Sequence, residues 1–315
     1  MGKPLVSICC LVYNHSSYLR ECLDGFVKQR TNFPVEILIH DDASTDNSRE
    51  IIQAFIEKSP DLFVPIFQSE NQFSKGGGVM AKFVFPLAQG KYLALCEGDD
   101  YWTDPMKLQK QVDFLESHNE YGFVGSFVNS LYPDNHFSLE ECTLPRGIQE
   151  GEWILYKDVM DFAKYGPVCR TVTLCFRKDI ILPYLNDICG DLILETVLAK
   201  YSSFAMLATP TAVYRRDVGI SAKTNDLQKQ LRYNEWLIKN RMVQKRLFPQ
   251  ECNWNEDELL DRKDYIHLKF FVKERKWREA MKSKRQLRSS SYQKKTFSKY
   301  LVGPISCFLL SFFSK

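Results

Sequence analysis

The sequence predicts an α/β protein: a mostly parallel sheet with helices on both faces, followed by a helical, basic C-terminal region. Three observations carry this. Apolar runs of strand length alternate with helical stretches through the first part of the chain. Two of those runs stop at acidic turns, Asp41-Asp42 and Glu97-Gly98-Asp99-Asp100. The charge then changes sign: residues 1–222 hold 20 Lys+Arg against 29 Asp+Glu, and residues 223–315 hold 22 against 10. Two regions follow, 1–222 and 223–315.

Leu5–Tyr13 is a continuous apolar run, as expected for a strand covered on both faces. Asn14 and Ser16 or Ser17 can cap a helix running to about Lys28. Val35–His40 reads as a second strand, and Thr45 or Asp46 opens a helix through Glu57. Phe63–Gln68 makes a third strand, and Ser69–Gly78 a loop ending in three glycines. A helical stretch over Val79–Ala88 precedes the strand Tyr92–Cys96. Asp104-Pro105 then starts a helix reaching His118, with Pro in its first turn. Tyr132–Gly151 reads as loop, Thr171–Arg177 and Phe204–Arg215 as strands, and Asp191–Lys200 as a helix. Beyond Asn225 the pattern is helical and increasingly charged. Repeated strand–helix units put ligands outside the carboxyl ends of the strands. Both acidic turns therefore face one crevice.

Composition narrows the chemistry. At 315 residues, 13% aromatic and mean hydropathy −0.30, the chain can bury a large core and is not globally disordered. Its ten cysteines form no repeated CxxC pair, so they read as reduced, mostly buried thiols of a cytoplasmic protein rather than a zinc site. No window reaches the roughly 20 apolar residues that span a bilayer. The five histidines match neither a triad nor a metal cluster. No Walker loop, Gly-x-Ser-x-Gly or Gly-x-Gly-x-x-Gly follows a strand, which counts against NTPase, hydrolase and dehydrogenase chemistry.

The acidic turns carry the chemistry. Three carboxylates within four residues, just past a buried strand, repel one another unless a cation or hydrogen-bond donors offset them. Mg²⁺ and Mn²⁺ prefer oxygen ligands and share them with diphosphates. The plain alternative is a solvated acidic turn. At the other turn, capping accounts for Thr45 or Asp46, whereas an Asp42 at a strand end can accept from a nucleobase or ribose.

Val6–Asn14 (VSICCLVYN), Glu36–Asp46 (EILIHDDASTD) and Gly90–Trp102 (GKYLALCEGDDYW), followed by Asp104-Pro105 and Lys107-Leu108, resemble family 2 glycosyltransferases in order and spacing. The resemblance covers about residues 4–222. It implies the GT-A fold (Rossmann-like), with a donor half over about 1–130 and an acceptor half over about 131–222. It also implies transfer of a sugar from a nucleotide-diphosphate donor, such as a UDP-sugar, with inversion. A divalent metal, Mn or Mg, would be the cofactor. Residue by residue, Tyr13 would stack near the base and Asp42 would bind it. Glu97-x-Asp99 stands where the family has Asp-x-Asp. Asp99 becomes the expected metal ligand, Asp100 the neighbour that shares the role, and Glu97 a contact to ribose or sugar. Cys189-Gly190-Asp191 matches the element that opens the acceptor helix and makes Asp191 the expected base, with helix capping as its plain alternative. Tyr214-Arg215-Arg216-Asp217 through Ser221 resembles a segment in which Arg215 reaches the diphosphate; Asp217 replaces a usual His. Lys75, Gly76–Gly78 and Lys82 can approach the donor, with a flexible loop as the plainer role for the glycine run.

Such enzymes extend capsule, O-antigen or exopolysaccharide chains, so a glycan or polyprenyl-diphosphate-linked acceptor is the expected partner. Two other readings were weighed: a nucleotidyltransferase, and a non-catalytic module binding nucleotide or nucleic acid. The first lacks a Gly-rich, Lys-containing loop after the first strand. The intact carboxylate set speaks against the second, so nucleic acid is not expected. Basic Lys273–Lys299 beside apolar Tyr300–Phe313 suggests peripheral contact with an anionic membrane at the cytoplasmic leaflet. A packed helix with a solvated face, or a homo-oligomer contact, are the alternatives.

Overall fold

The computed structural model describes residues 2–141, 144–145, 147–218 and 227–286. The chain divides into two compact units, Met1–Ala222 and Lys223–Lys315. The first begins with β1 (Val6–Val12), α1 (Leu19–Val27), β2 (Val35–Asp41), α2 (Ser48–Lys58), β3 (Phe63–Phe67) and β4 (Tyr92–Glu97). β5 (Tyr101–Trp102), α3 (Lys107–Ser117), β6 (Tyr121–Leu131), β7 (Phe137–Glu140), β8 (Ile148–Glu150) and β9 (Trp153–Tyr156) follow. α4 (Met160–Ala163), β10 (Cys175–Arg177), α5 (Lys178–Ile181), α6 (Asp191–Tyr201) and β11 (Ser203–Arg215) complete the unit.

The described strands form one sheet, ordered β3-β2-β1-β4-β10-β6-β11-β9-β8, with β5 on β11 and β7 on β6. Its first four strands are parallel. Beyond β4 the sheet is mixed: β10 runs antiparallel to both its neighbours, and β6 and β11 are parallel to each other. The continuous apolar runs have the expected cause. Val6, Ile8 and Cys10 of β1 join Ile37 and Ile39 of β2 and Ala94 and Cys96 of β4 in a core with Leu19, Leu23, Ile52 and Leu108 from α1, α2 and α3. Alternate residues Cys9, Leu38, Leu93 and Leu95 are buried on the other face. There the expected helix 79–88 is a short π-type stretch, Met80–Val84. Phe83 stacks on His40 and Phe85 meets Phe176 edge-on.

Two helices start later than the capping pattern suggests, because their caps are used elsewhere. Asn14 is left-handed (φ 57°), and its Oδ1 accepts the Thr45 N–H at 2.8 Å. Asp46 accepts the N–H of Ser16 at 2.9 Å and of Ser48 at 3.0 Å. These side chains tie the turn after β1 to the turn after β2. Asp104 caps its own turn, accepting from Met106 at 2.8 Å.

The stretch read as loop, Tyr132–Gly151, holds β7 and β8. Both strands are short, and β7 lies largely exposed on the end of β6, so its Phe-Ser-Leu-Glu alternation marks no buried face. Thr171–Arg177 is a 3₁₀ turn (Thr171–Thr173) followed by β10. β6 itself gives no plain sequence signal because glycine interrupts it. A Cβ on Gly125 would come within 2.8 Å of Cys169 Cβ, so close packing needs the glycine that hides the strand.

The second unit contains α7 (Leu227–Leu247), α8 (Glu256–Lys273) and α9 (Trp277–Gln286). Asn255 caps α8 by accepting from Glu258 N at 3.2 Å. Acids in its first turn and Lys273 in its last match the helix dipole. Leu268 and Ala280 pack with Tyr265, Phe271 and Val272. The segment Tyr300–Phe313, and residues 287–299 of the basic run before it, lie outside the described residues. No described helix is long and apolar enough to cross a membrane.

Candidate active site

Because β2, β1 and β4 are parallel neighbours, their carboxyl ends lie side by side. Tyr13 follows β1, Asp42 follows β2, and Glu97 ends β4. Tyr13 is 43% exposed. Asp41 is fully buried and accepts from Arg49 Nη2 at 2.9 Å and Ser44 N at 3.3 Å. Asp42 accepts the backbone N–H groups of Gln72 (2.7 Å) and Phe73 (3.0 Å). It thereby fixes the start of the loop that ends in the three glycines.

The turn after β4 is different. Glu97 is half-buried; desolvation, then the charges of Asp99 and Asp191, push its carboxyl up to about 8. Asp100 is buried and accepts the Arg215 N–H at 2.7 Å. Burial, then Asp99 and Glu97, push its carboxyl well above the ordinary range. Asp99 has His15 Nε2 at 3.9 Å. His15 itself is mostly buried, and its Nδ1 has no partner. Gly98 admits this approach, since a Cβ there would stand 2.9 Å from His15 Nδ1. The sequence reading set all five histidines aside. The signal for this one was its place, two residues past Tyr13 at the end of the central strand.

Arg215, expected at a diphosphate, has other partners. Its guanidinium pairs with Glu21, donates to the Asp99 carbonyl, and lies between the rings of Tyr18 (4.9 Å) and Tyr101 (4.7 Å). Only 8% of the side chain is exposed. It braces the acidic turn from behind. Lys75 pairs with Glu70. Lys82 donates to Gly77 O at 3.0 Å and so holds the glycine loop. Asp217 is exposed and left-handed, and Gly219–Ser221 lie outside the described residues.

Asp191 opens α6 and accepts the Leu192 N–H at 2.8 Å. Desolvation raises its carboxyl pKa; the Leu192 N–H, its own backbone and Arg170 act against that rise. The turn before it lies against the glycine loop: a Cβ on Gly78 (φ 69°) would stand 3.0 Å from Ile188 O and 3.4 Å from Cys189 Cα. Lys82, the glycines and Asp191 thus form one contiguous edge, and Asp191 lies close enough to Glu97 to raise its pKa.

Among the described residues, no group of three or more His, Cys, Asp or Glu could hold a metal ion by itself. The donor set nevertheless fits a hard cation that takes one or two carboxylates and completes its sphere with water and phosphate. The charge of Asp99 adds to burial in raising the carboxyls of both Glu97 and Asp100, as negative charge short of a counter-charge does.

A mixed α/β sheet with acidic strand ends and a carboxylate-headed helix is the architecture of GT-A-like proteins. Solved structures agree on the fold. TarS of S. aureus in complex with UDP-GlcNAc matches with TM-score 0.56 and 15% identity, covering 90% of this chain and 81% of that one. The mannosyltransferase PcManGT of Pyrobaculum calidifontis, with GDP-Man and Mn²⁺, matches with TM-score 0.53 and 15% identity, covering 99% and 80%. The model of glycosyl transferase family 2 matches residues 7–181, more than half of the chain. The chain belongs to that family. Uncharacterised protein Rv1520 of Mycobacterium tuberculosis is 50% identical over 131 residues, 41% of this chain and 36% of the relative. WfaP of Escherichia coli, a UDP-Glc:α-D-GlcNAc-diphosphoundecaprenol β-1,3-glucosyltransferase, is 29% identical, covering 58% of this chain and 66% of that protein. The chain thus spans only about a third to two thirds of the length of these curated relatives.

Proposed function

We propose that this chain transfers a sugar from a nucleotide-diphosphate donor, a UDP-sugar, to an acceptor hydroxyl with inversion, in the synthesis of a surface polysaccharide. One observation carries the reading: Asp191, at the head of the acceptor helix, and Asp99, on the turn after β4, both act on Glu97 from close range. This supports reading Asp191 as the base and Asp99 as the diphosphate-side carboxylate of one crevice, the arrangement an in-line displacement requires. Tyr13 stacks on the base and Asp42 accepts from it. Glu97 meets the ribose or sugar. Asp99, with Asp100 as the neighbour that shares the role, holds Mg²⁺ or Mn²⁺. Bound there, the cation offsets charge on the departing diphosphate. Arg215 positions this turn rather than touching phosphate. Asp191 takes the proton of the acceptor hydroxyl as that oxygen attacks the anomeric carbon. The bond from this carbon to the diphosphate oxygen breaks on the opposite face, and the nucleoside diphosphate leaves with the electron pair.

The structure of PcManGT with Mn²⁺ and the glycan-diphosphate acceptor named for WfaP support the metal and the acceptor class. A polyprenyl-linked acceptor also suits the basic tail. Arg278, Lys282 and Arg285 are exposed on α9, and each basic residue near an anionic surface contributes about 1 kcal/mol. Peripheral binding at the cytoplasmic leaflet follows; flotation with anionic liposomes tests it, and a chain that stays soluble at low salt ends it.

The test of the activity is hydrolysis and transfer from UDP-, GDP- and dTDP-sugars with and without Mn²⁺, for the wild type and Asp191→Asn. Asparagine keeps the shape and removes the proton acceptor, so turnover falls about 100-fold or more while donor binding persists. Near-normal turnover would reduce Asp191 to a helix cap.

A further inference from the structure

Beside Asp191 lies a cluster that the sequence reading did not single out. Glu140, at the end of β7, is bound by three side chains: Arg170 Nε at 2.8 Å, the Arg216 guanidinium and the Ser130 hydroxyl. Arg216 Nε also donates to Ser130 Oγ at 3.0 Å. Both guanidinium groups lie over the ring of Tyr214, Arg170 at 4.9 Å and Arg216 at 5.2 Å. Two arginines share Glu140, and the charge of Arg170 also reaches Asp191 and Glu195, whose carboxyls burial pushes up. Arg170 is 34% exposed and Arg216 25%. Among the described residues, the terminal nitrogens of Arg170 donate no hydrogen bond.

Its place in the site is fixed by α6. Glu195, one turn after Asp191 on the same helix face, is fully buried. It accepts the Val168 N–H at 2.5 Å and also binds the backbone of Cys169. The helix that carries Asp191 therefore grips the two residues before Arg170. From the other side, Arg215 N–H is bound by Asp100, and Arg216 is the next residue. The cluster is thus tethered to both Asp191 and the acidic turn.

We propose that Arg170 and Arg216, stacked on Tyr214 and bridged by Glu140, form an acceptor subsite that recognises an oxyanion group, a carboxylate or phosphate, on the acceptor sugar. This rests on the glycosyltransferase reading and adds to it the acceptor's charge. The planar fork of Arg170 is partly exposed, and its terminal N–H groups have the geometry that pairs two-pronged with carboxylate or phosphate. Glu140 takes the inner edge of that fork and leaves the outer edge for a ligand. Tyr214 fixes the planes, so little side-chain freedom is lost on binding.

The test is binding to the full chain, with UDP and Mn²⁺ present to fill the donor side. The probes are methyl β-glucuronide, glucose 1-phosphate and neutral methyl β-glucoside, read by ligand-observed NMR. We expect at least one anionic probe to bind tenfold or more tighter than the glucoside, and the stronger of the two identifies carboxylate or phosphate. Arg170→Gln and Arg216→Gln should each erase most of that preference, with UDP affinity and melting temperature unchanged. Raising ionic strength on the wild type should erode it too, a readout that needs no variant. Equal binding of charged and neutral probes, or an intact preference in Arg170→Gln, overturns the proposal. Failure of UDP to bind would instead strike at the donor reading, and the probes alone would still report on the arginines.

Discussion

The two acidic turns at the strand ends look alike in the sequence and are opposite in the structure. In the turn after β2 every carboxylate is answered by the protein: Asp41 by Arg49, Asp42 by two backbone N–H groups, Asp46 by two more. In the turn after β4 Asp100 accepts one N–H, from Arg215, and the charge of Asp99 weighs on both Glu97 and Asp100. Desolvation and mutual repulsion lift Glu97 and Asp100, while His15 approaches Asp99 only to 3.9 Å. Acidic residues that the fold satisfies hold loops in place. Those it leaves short of counter-charge are where a cation and a diphosphate gain most.

Substitutions can break or sharpen this contrast. The largest effect is expected from Asp99→Ala, which should abolish metal-dependent donor hydrolysis and transfer. Its melting temperature should stay level or rise, because a like charge leaves the turn. Full activity in this variant would remove the cation from the second turn. Asp41→Ala should do the reverse. Losing a buried acceptor shared by Arg49 and Ser44 costs about 1–3 kcal/mol. Urea unfolding should show a lower midpoint at unchanged slope, with nucleotide affinity kept. An unchanged midpoint would mean that the first turn holds nothing.

Gly78→Ala probes the link between the glycine loop and Asp191. A left-handed alanine costs about 1–2 kcal/mol, and its Cβ presses on the Ile188 carbonyl. Turnover should fall further than donor affinity, and equal losses in both would break that link. The smallest effect is at Asp46. Burial works against its charge, but bonds from Ser48 and Ser16 hold the carboxyl at about 2. This folded-state value lies below that of the unfolded chain, about 3.9. The stabilisation is therefore complete above pH 4 and is lost as pH falls through about 2. Asp46→Asn should flatten the acid limb of a circular-dichroism titration in that window alone.

The parallel half of the sheet was legible because strands covered on both faces must be apolar throughout, and β1, β2 and β4 are. The acceptor half was harder to read. β6 contains glycines required by close packing, and the short alternation of β7 is exposed, so neither reads as a core strand. Among site residues, the acidic turns and Asp191 were legible from local motif and position. His15 and the Arg170–Glu140–Arg216 cluster were not, because each depends on partners far away in the chain.

The sequence by itself determined the α/β class, the strand ends that meet at the crevice, the carboxylates there and the split near residue 222. These follow from local periodicity, chain connectivity and charge, which need no knowledge of distant neighbours. Only the tertiary structure decided which carboxylates are already satisfied. It alone paired Arg215 with Glu21 and set two arginines over Tyr214. Hydrogen bonding and desolvation depend on residues brought together by folding, so side chains of identical type acquire opposite roles.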